Sequence, residues 1–296
     1  MNWLTDFPTL GREDLRDFRM AIDRGFKDFT RSYGDNIESF FDPLLYFLIW
    51  LEKLLLATPW PVFILAVCGL AWIASRSKSI VIGSAVSFFL IGFLGMWEDT
   101  MSTVSIIMVC TIVCIGLGLP IGILMSRSDR TQAVITPVLD VMQTIPSFVY
   151  LIPVVMLLGI GKVPGLISVV IYAIPPMIRL TNLGIRLVDR EVLEAADAFG
   201  ASAWQKLIGV QIPLALPNIF AGVNQTIMMS LAMVVIASMI GVTGLGQPVL
   251  RAISNQYLAM GLLNGLALVA LAIIFDRISQ SYGKRLQSHR TGGHDE

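Results

Sequence analysis

MSTVSIIMVCTIVCIGLGLPIGILM, Met101 to Met125, runs without a single Asp, Glu, Lys, Arg or His. About 20 apolar residues cross the hydrocarbon core of a bilayer as a helix, the form in which one segment satisfies all its own backbone polar groups. Working outward, further apolar runs cover Pro61 to Ala74, Ile80 to Met96, Val138 to Ile160, Gly165 to Arg179, Leu214 to Ile240 and Ala259 to Phe275. The pattern predicts an all-α membrane protein with about seven spanning helices, the first and fifth needing flanking residues to complete the crossing. Composition agrees: of 296 residues 55% are hydrophobic and 14% charged, and mean hydropathy is +0.74, which excludes an ordinary soluble domain.

Orientation follows from the short connections. Arg76, Lys78, Arg127, Arg130, Arg179, Arg186, Arg190, Lys206, Arg277, Lys284, Arg285 and Arg290 fall on one side, against only Lys162 and Arg251 in the short loops opposite. The positive-inside rule makes the crowded side cytoplasmic, so the C-terminus is inside and seven spans put the N-terminus outside. The tail, Met1 to Thr58, holds seven basic and ten acidic residues, a net charge of −3; a tail of that sign can be translocated. Met1 to Leu10 has neither a basic start nor an apolar core, so it does not read as a signal peptide. Pro43 to Ala57 is apolar but interrupted by Glu52 and Lys53, which suits a helix along the outer interface. If that segment spans instead, there are eight helices and the N-terminus moves inside.

The spans offer little chemistry. Cys68, Cys110 and Cys114 lie in apolar runs, and two thiols one turn apart lack further ligands, so no metal site is predicted. His289 and His294 are both in the polar C-terminal tail. An ion-coupled transporter carries ionisable groups within its spans, yet here Asp140 is the single carboxylate read at depth, where it either pairs with Arg179 or carries a proton. That leaves an ion-gradient-driven transporter using Asp140 as the rival function. GIGK at Gly159 to Lys162 lacks the spacing and hydroxyl of a phosphate-binding loop, and no triad or carboxylate pair points to catalysis. Energy therefore has to come from a partner, and nothing points to nucleic acid.

The cytoplasmic connection from Arg179 to Gln211 is where a partner could act. Val192, Ala196, Phe199, Ala203 and Leu207 recur at steps of three and four residues, an apolar stripe on a polar segment. Gly200 interrupts it, and Ser202 with Gln205 forms a capping box, so two short helices joined by a bend are predicted before Pro213 and Pro217 start the next span. Such a stripe fits either a protein groove or the inner leaflet, and the leaflet would favour more basic residues than Glu191, Glu194 and Asp197 allow. Pro146, Pro153, Pro175 and Pro176 are expected to kink the core helices. Asn218, Asn224, Gln225, Thr226 and Ser230 mark a polar face on the sixth span, suited to interhelical hydrogen bonds or to lining a pathway. Phe148, Tyr150 and Tyr172 could meet a passing cation or simply pack.

These residues carry a resemblance. Glu194, Ala195, Ala196, Gly200 and Pro213 fall on the EAA signature of binding-protein-dependent ABC importer permeases, with Val210 and Ile212 standing where the pattern has Ile and Leu. MQTIPSFVYLIP (Met142 to Pro153), GKVPG (Gly161 to Gly165), IPPMIRLTNLGIR (Ile174 to Arg186) and AGVNQTIMMSLAMVVIASMIG (Ala221 to Gly241) resemble the permeases of glycine betaine and proline betaine importers, a family with choline and other methylated-amine members.

The resemblance implies a type I permease core over 98–279, with a coupling helix at 190–209 that enters a cleft of a cytoplasmic ATPase. Phe199 belongs to that coupling segment, Glu194 serves the helix start, and Ala195 and Ala196 permit close approach. Around the core lie a periplasmic tail with an interfacial helix (1–58), two accessory spans (59–97) and a cytoplasmic tail (280–296). The implied partners are a second copy of the chain, two ATPase subunits holding ATP and magnesium, a substrate-binding protein outside, and the lipid of a bacterial inner membrane. No cofactor is expected on this chain. The transported amine stays open among betaines, choline, carnitine and trimethylamine N-oxide.

Overall fold

The computed structural model describes residues 9–291, with side chains to residue 283. Most of Met1 to Leu10, together with His294 and the side chains of Lys284, Arg285, His289 and Arg290, lies outside the described residues. Everything described is helix or short connection. The helices are α1 (Arg12–Ala57), α2 (Trp60–Ser75), α3 (Lys78–Phe93), α4 (Trp97–Arg127), α5 (Asp129–Thr144), α6 (Ser147–Leu158), α7 (Lys162–Arg186), α8 (Arg190–Ala198), α9 (Ala203–Lys206), α10 (Ile212–Ala237), α11 (Gly246–Asn255) and α12 (Leu258–Thr291). A π-helical turn, Leu207–Gln211, joins α9 to α10, and a 3-10 turn, Ser238–Ile240, ends α10.

All seven apolar runs lie mainly in helices, but not all as straight crossings. Four helices are long and apolar enough to span: α4, α7, the continuous Ala203–Ile240 stretch and α12 as far as Gly283, or up to six if each of two bent pairs is one span. The run from Val138 to Ile160 is one such pair, α5 and α6, bent by 99°. Pro146 causes the break: the residue before a proline is pushed out of the helical region, and Ile145 is extended at φ −66°, ψ 128°. The fifth run gains its missing length at both ends, because α7 continues to Arg186 and leaves Arg179 two turns short of its end.

α7 is the centre of the bundle. It packs against α4 on one side and α10 on the other, while α12 covers α10 and the α2–α3 pair covers α12. Burial follows that order, with 61% of the apolar window buried in α7 against 22% in α12. Close approach of α4 to α7 rests on small residues at the contact. A Cβ built on Gly122 would lie 2.6 Å from Thr181 Cβ and 2.8 Å from the Ile178 carbonyl oxygen.

The tail holds more order than its charge suggests. Pro43 to Ala57 is the last part of the 46-residue α1, which continues through Pro43 and turns by 108° into α2. Leu48 and Leu51 are buried where α1 crosses the bundle, in contact with α4, α6 and α7.

Gly122→Ala should lower stability by about 1–3 kcal/mol through overpacking. Gly116→Ala, where an added Cβ meets nothing within 4 Å, should be neutral or stabilising. Thermal unfolding of both variants in detergent checks this; equal midpoints would mean that the α4–α7 contact tolerates a methyl group.

Candidate functional site

The connection that leaves α7 is anchored before it starts. In the last turn of α7, Arg186 spreads its guanidinium over three acceptors: Nε donates to Asn182 Oδ1 (3.1 Å), Nη1 to Asp129 Oδ1 (2.7 Å) and Nη2 to the Met125 carbonyl (2.9 Å). The planar fork of arginine suits this, since one side chain can tie several elements at fixed angles. It fastens the end of α7 to the last turn of α4 and the first of α5, four residues before α8 begins.

Asp189 caps α8, its Oδ1 accepting from the Glu191 amide at 3.0 Å. Glu194 therefore stands in the middle of α8, not at its start, a correction to the role expected of it. The helix ends in a Schellman arrangement: the Gly200 amide donates to the Asp197 carbonyl (2.9 Å) and the Ala201 amide to the Ala196 carbonyl (3.0 Å). Gly200 sits at φ +75°, in the left-handed region that glycine enters without penalty. Ser202 then opens α9 with both halves of the capping box, accepting from the Gln205 amide (3.3 Å) while its own amide donates to Gln205 Oε1 (2.8 Å). Lys206 closes back on Asp197, pairing α9 with α8.

The expected single stripe is divided. Leu207 is buried, in a cluster with Met177, Ile185, Ala215 and Ile219 that links the connection to α7 and α10. Ala196 is half-buried, while Val192 is exposed and Phe199 is 92% exposed. The bend at Gly200 and the wider π turn after Lys206 change the helix axis and register, so residues spaced for one straight helix point two ways. Trp204 and Ile208, which lie off the five-residue stripe, join the outward side, both exposed. The outward surface is thus Val192, Phe199, Trp204 and Ile208, edged by the exposed carboxylates Glu191, Glu194 and Asp197. Ala195 is exposed on α8, and Pro213 occupies the first turn of α10.

The other candidate residues fall into three separate contacts, with Phe148 and Gln225 exposed apart from them. Asp140 and Arg179 pair at 2.6 Å, with side chains 57% and 34% exposed. Tyr150 and Tyr172 meet edge to face, ring centroids 6.3 Å apart, and the Tyr150 hydroxyl donates to the Met142 carbonyl. Phe148 is exposed. On α10, Asn224 Nδ2 donates to Asp276 Oδ1 of α12 at 2.9 Å, and Gln225 is exposed. Asp140 is not the only carboxylate within the bundle: Asp276 accepts this amide, and Glu52 of α1 is more buried than either, at 9% exposure. Both lie just where an apolar run ends or is interrupted, so run-by-run reading passes over them. Cys110 lies 3.2 Å from Ser230 Oγ, and among the described residues no group of three or more His, Cys, Asp or Glu could hold a metal.

Comparison with known proteins agrees with this architecture. The family model for the binding-protein-dependent transport system inner membrane component matches residues 115–288. The glycine betaine/proline betaine transport system permease protein ProW of Escherichia coli (strain K12) is 47% identical, over 83% of this chain and 69% of that protein. The glycine betaine/carnitine transport permease protein GbuB of Listeria monocytogenes (serotype 1/2a, strain 10403S) is 45% identical, over 79% of this chain and 83% of its own length. An inward-facing structure of the MetNI methionine ABC transporter superposes with a TM-score of 0.58 at 18% identity, covering 64% of this chain and 95% of that one. The fold is that of an ABC importer transmembrane subunit and not of a secondary transporter. The chain belongs to the family of binding-protein-dependent transport system inner membrane components.

Proposed function

We propose that this chain is the membrane subunit of an ATP-driven importer of quaternary or methylated amines. It works as a pair of copies with two cytoplasmic ATPases and an external binding protein. The observation that carries the ATPase reading is the outward surface of α8 and α9. Phe199 is 92% exposed there, on a helix capped at both ends and tied to the bundle through Leu207 and Arg186. An exposed aromatic on so fixed a mount fits a groove in a partner protein. The flanking Glu191, Glu194 and Asp197 disfavour an anionic leaflet. Arg127, Arg130, Arg186, Arg190 and Lys206 belong to the same end of the bundle as α8, which supports placing that end inside and the start of α7 outside.

In this reading ATP and magnesium stay on the ATPase, which draws its two copies together. The displacement enters at α8, passes Gly200 and Lys206–Asp197, and reaches the Leu207 cluster between α7 and α10. Because packed interfaces switch between discrete arrangements, a small shift there becomes a rigid-body change of access from one side to the other. The substrate class rests on the names of the relatives, which specify glycine betaine, proline betaine and carnitine. Choline and trimethylamine N-oxide are further candidates from the motif resemblance.

Proteoliposomes holding the chain with its ATPase should take up labelled glycine betaine only with ATP enclosed and binding protein present. Uptake driven by an ion gradient without either would contradict the proposal. Gly200→Val forces a β-branched residue into the left-handed region; it should leave the permease folded while co-purified ATPase and uptake fall about tenfold, the effect of roughly 1.4 kcal/mol. Unchanged co-purification and uptake would remove the coupling role from this bend.

A further inference from the structure

The end of the bundle opposite α8 is closed by a ring of polar contacts that the coupling surface does not involve. Glu52, near the end of α1, is 9% exposed while the neighbouring Lys53 is turned to the outside. Its carboxylate accepts from Ser102 Oγ of α4 at 2.8 Å and pairs at 2.5 Å with Nζ of Lys162, the first residue of α7. One residue back, the Gly161 amide donates to the Ile240 carbonyl at 3.0 Å, where α10 has just ended. Beyond the glycine-rich turn, the Leu245 amide donates to Thr103 Oγ1 at 2.9 Å, and Thr103 follows Ser102. The circuit is complete: α1, the start of α7, the turn after α10 and the start of α4 each hold the next.

A buried carboxylate is unfavourable unless paired and hydrogen-bonded, and Glu52 has both kinds of partner. Stability alone is a weak reason for such a pair, because apolar residues of the same volume often serve as well or better. A charged contact has a different property. It can open into water with each group rehydrated, so it can be made and broken repeatedly at a surface where an apolar contact would have to expose its faces. Its location is where such reversibility matters, since Lys162 begins the helix whose far end leads into α8.

We propose that Glu52 is a positioning residue of the outer gate. Acting through Lys162, it holds the first turn of α7 against α4 and the turn after α10 while the pathway is closed to the outside, and the contact opens when access switches. α1 is then a working part of the gate and not only a membrane attachment. The inference rests on the importer reading above.

The test uses the permease–ATPase complex in lipid, with hydrolysis measured with and without binding protein loaded with glycine betaine. Glu52→Gln keeps the shape and the acceptor for Ser102 but removes the charge. The exchange of Glu52→Lys with Lys162→Glu restores a pair with reversed sign. Glu52→Gln should raise hydrolysis in the absence of binding protein about fivefold or more, within the usual range of coupling between sites, and the exchange should bring it back towards the wild-type rate. Unchanged hydrolysis in Glu52→Gln beside a responsive wild type, whether or not its thermal midpoint falls, would overturn the latch and leave the pair structural. A wild-type complex indifferent to binding protein would count against the importer reading and the latch with it.

Discussion

The close contact of α7 with α4 and α10 is the constraint on which the rest of the molecule depends. In lipid there is no hydrophobic drive between helices, so association relies on packing, hydrogen bonds and small residues that let backbones approach. Gly122 supplies that proximity to Thr181 and Ile178, and α7 is the most buried of the candidate spans. With α7 fixed on both sides, each of its ends becomes a defined mount. Arg186 uses one end to orient α8, and Lys162 uses the other to receive Glu52.

Both mounts use charged ties, and they differ in what surrounds those ties. Beside α8, the apolar Leu207 cluster carries the load and leaves an aromatic face outward. Such a contact transmits displacement because packed side chains have few alternative arrangements. At the other end the ties are an ion pair and single hydrogen bonds among α1, α4, α7 and the turn after α10. Polar ties can be exchanged for water, and here they flank Met101, Val242 and Leu245, which are buried in the main core. An outward aromatic face at one end and a buried ion pair at the other are what the proposed importer reading asks of the bundle.

Much of this is legible in the residues themselves. The absence of charge over Met101 to Met125 predicts a span, and α4 contains all of it. Ser202 and Gln205 three apart predict a cap, and both of its hydrogen bonds form. Where pattern reading departs from the structure, tertiary geometry or a local steric rule is the cause. The Val138 to Ile160 run reads as one span with a kink expected at Pro146, whereas the structure breaks it into two helices there because Ile145 leaves the helical region. The α8–α9 stripe assumes one axis, whereas Gly200 and the π turn supply two changes of direction. In the tail, charges outnumber the periodic residues Leu15, Phe18, Ile22, Phe26, Phe29 and Tyr33, although their three- and four-residue steps carry the signal of α1. The partners of Glu52 lie 50 and 110 residues away, a distance across which no local pattern reports.

The central claim is that the exposed face of α8 and α9 seats in a cytoplasmic ATPase. Cross-linking tests it most directly: a photoreactive residue in place of Phe199, and separately of Trp204, in the complex expressed with its ATPase, with Ile82 on the exposed face of α3 as the reference site. The account predicts ATPase adducts from Phe199 and Trp204 and none from Ile82, with yields that change when ATP is added. Adducts confined to lipid at all three sites, or labelling of Phe199 by an impermeant reagent added outside sealed vesicles, would contradict it.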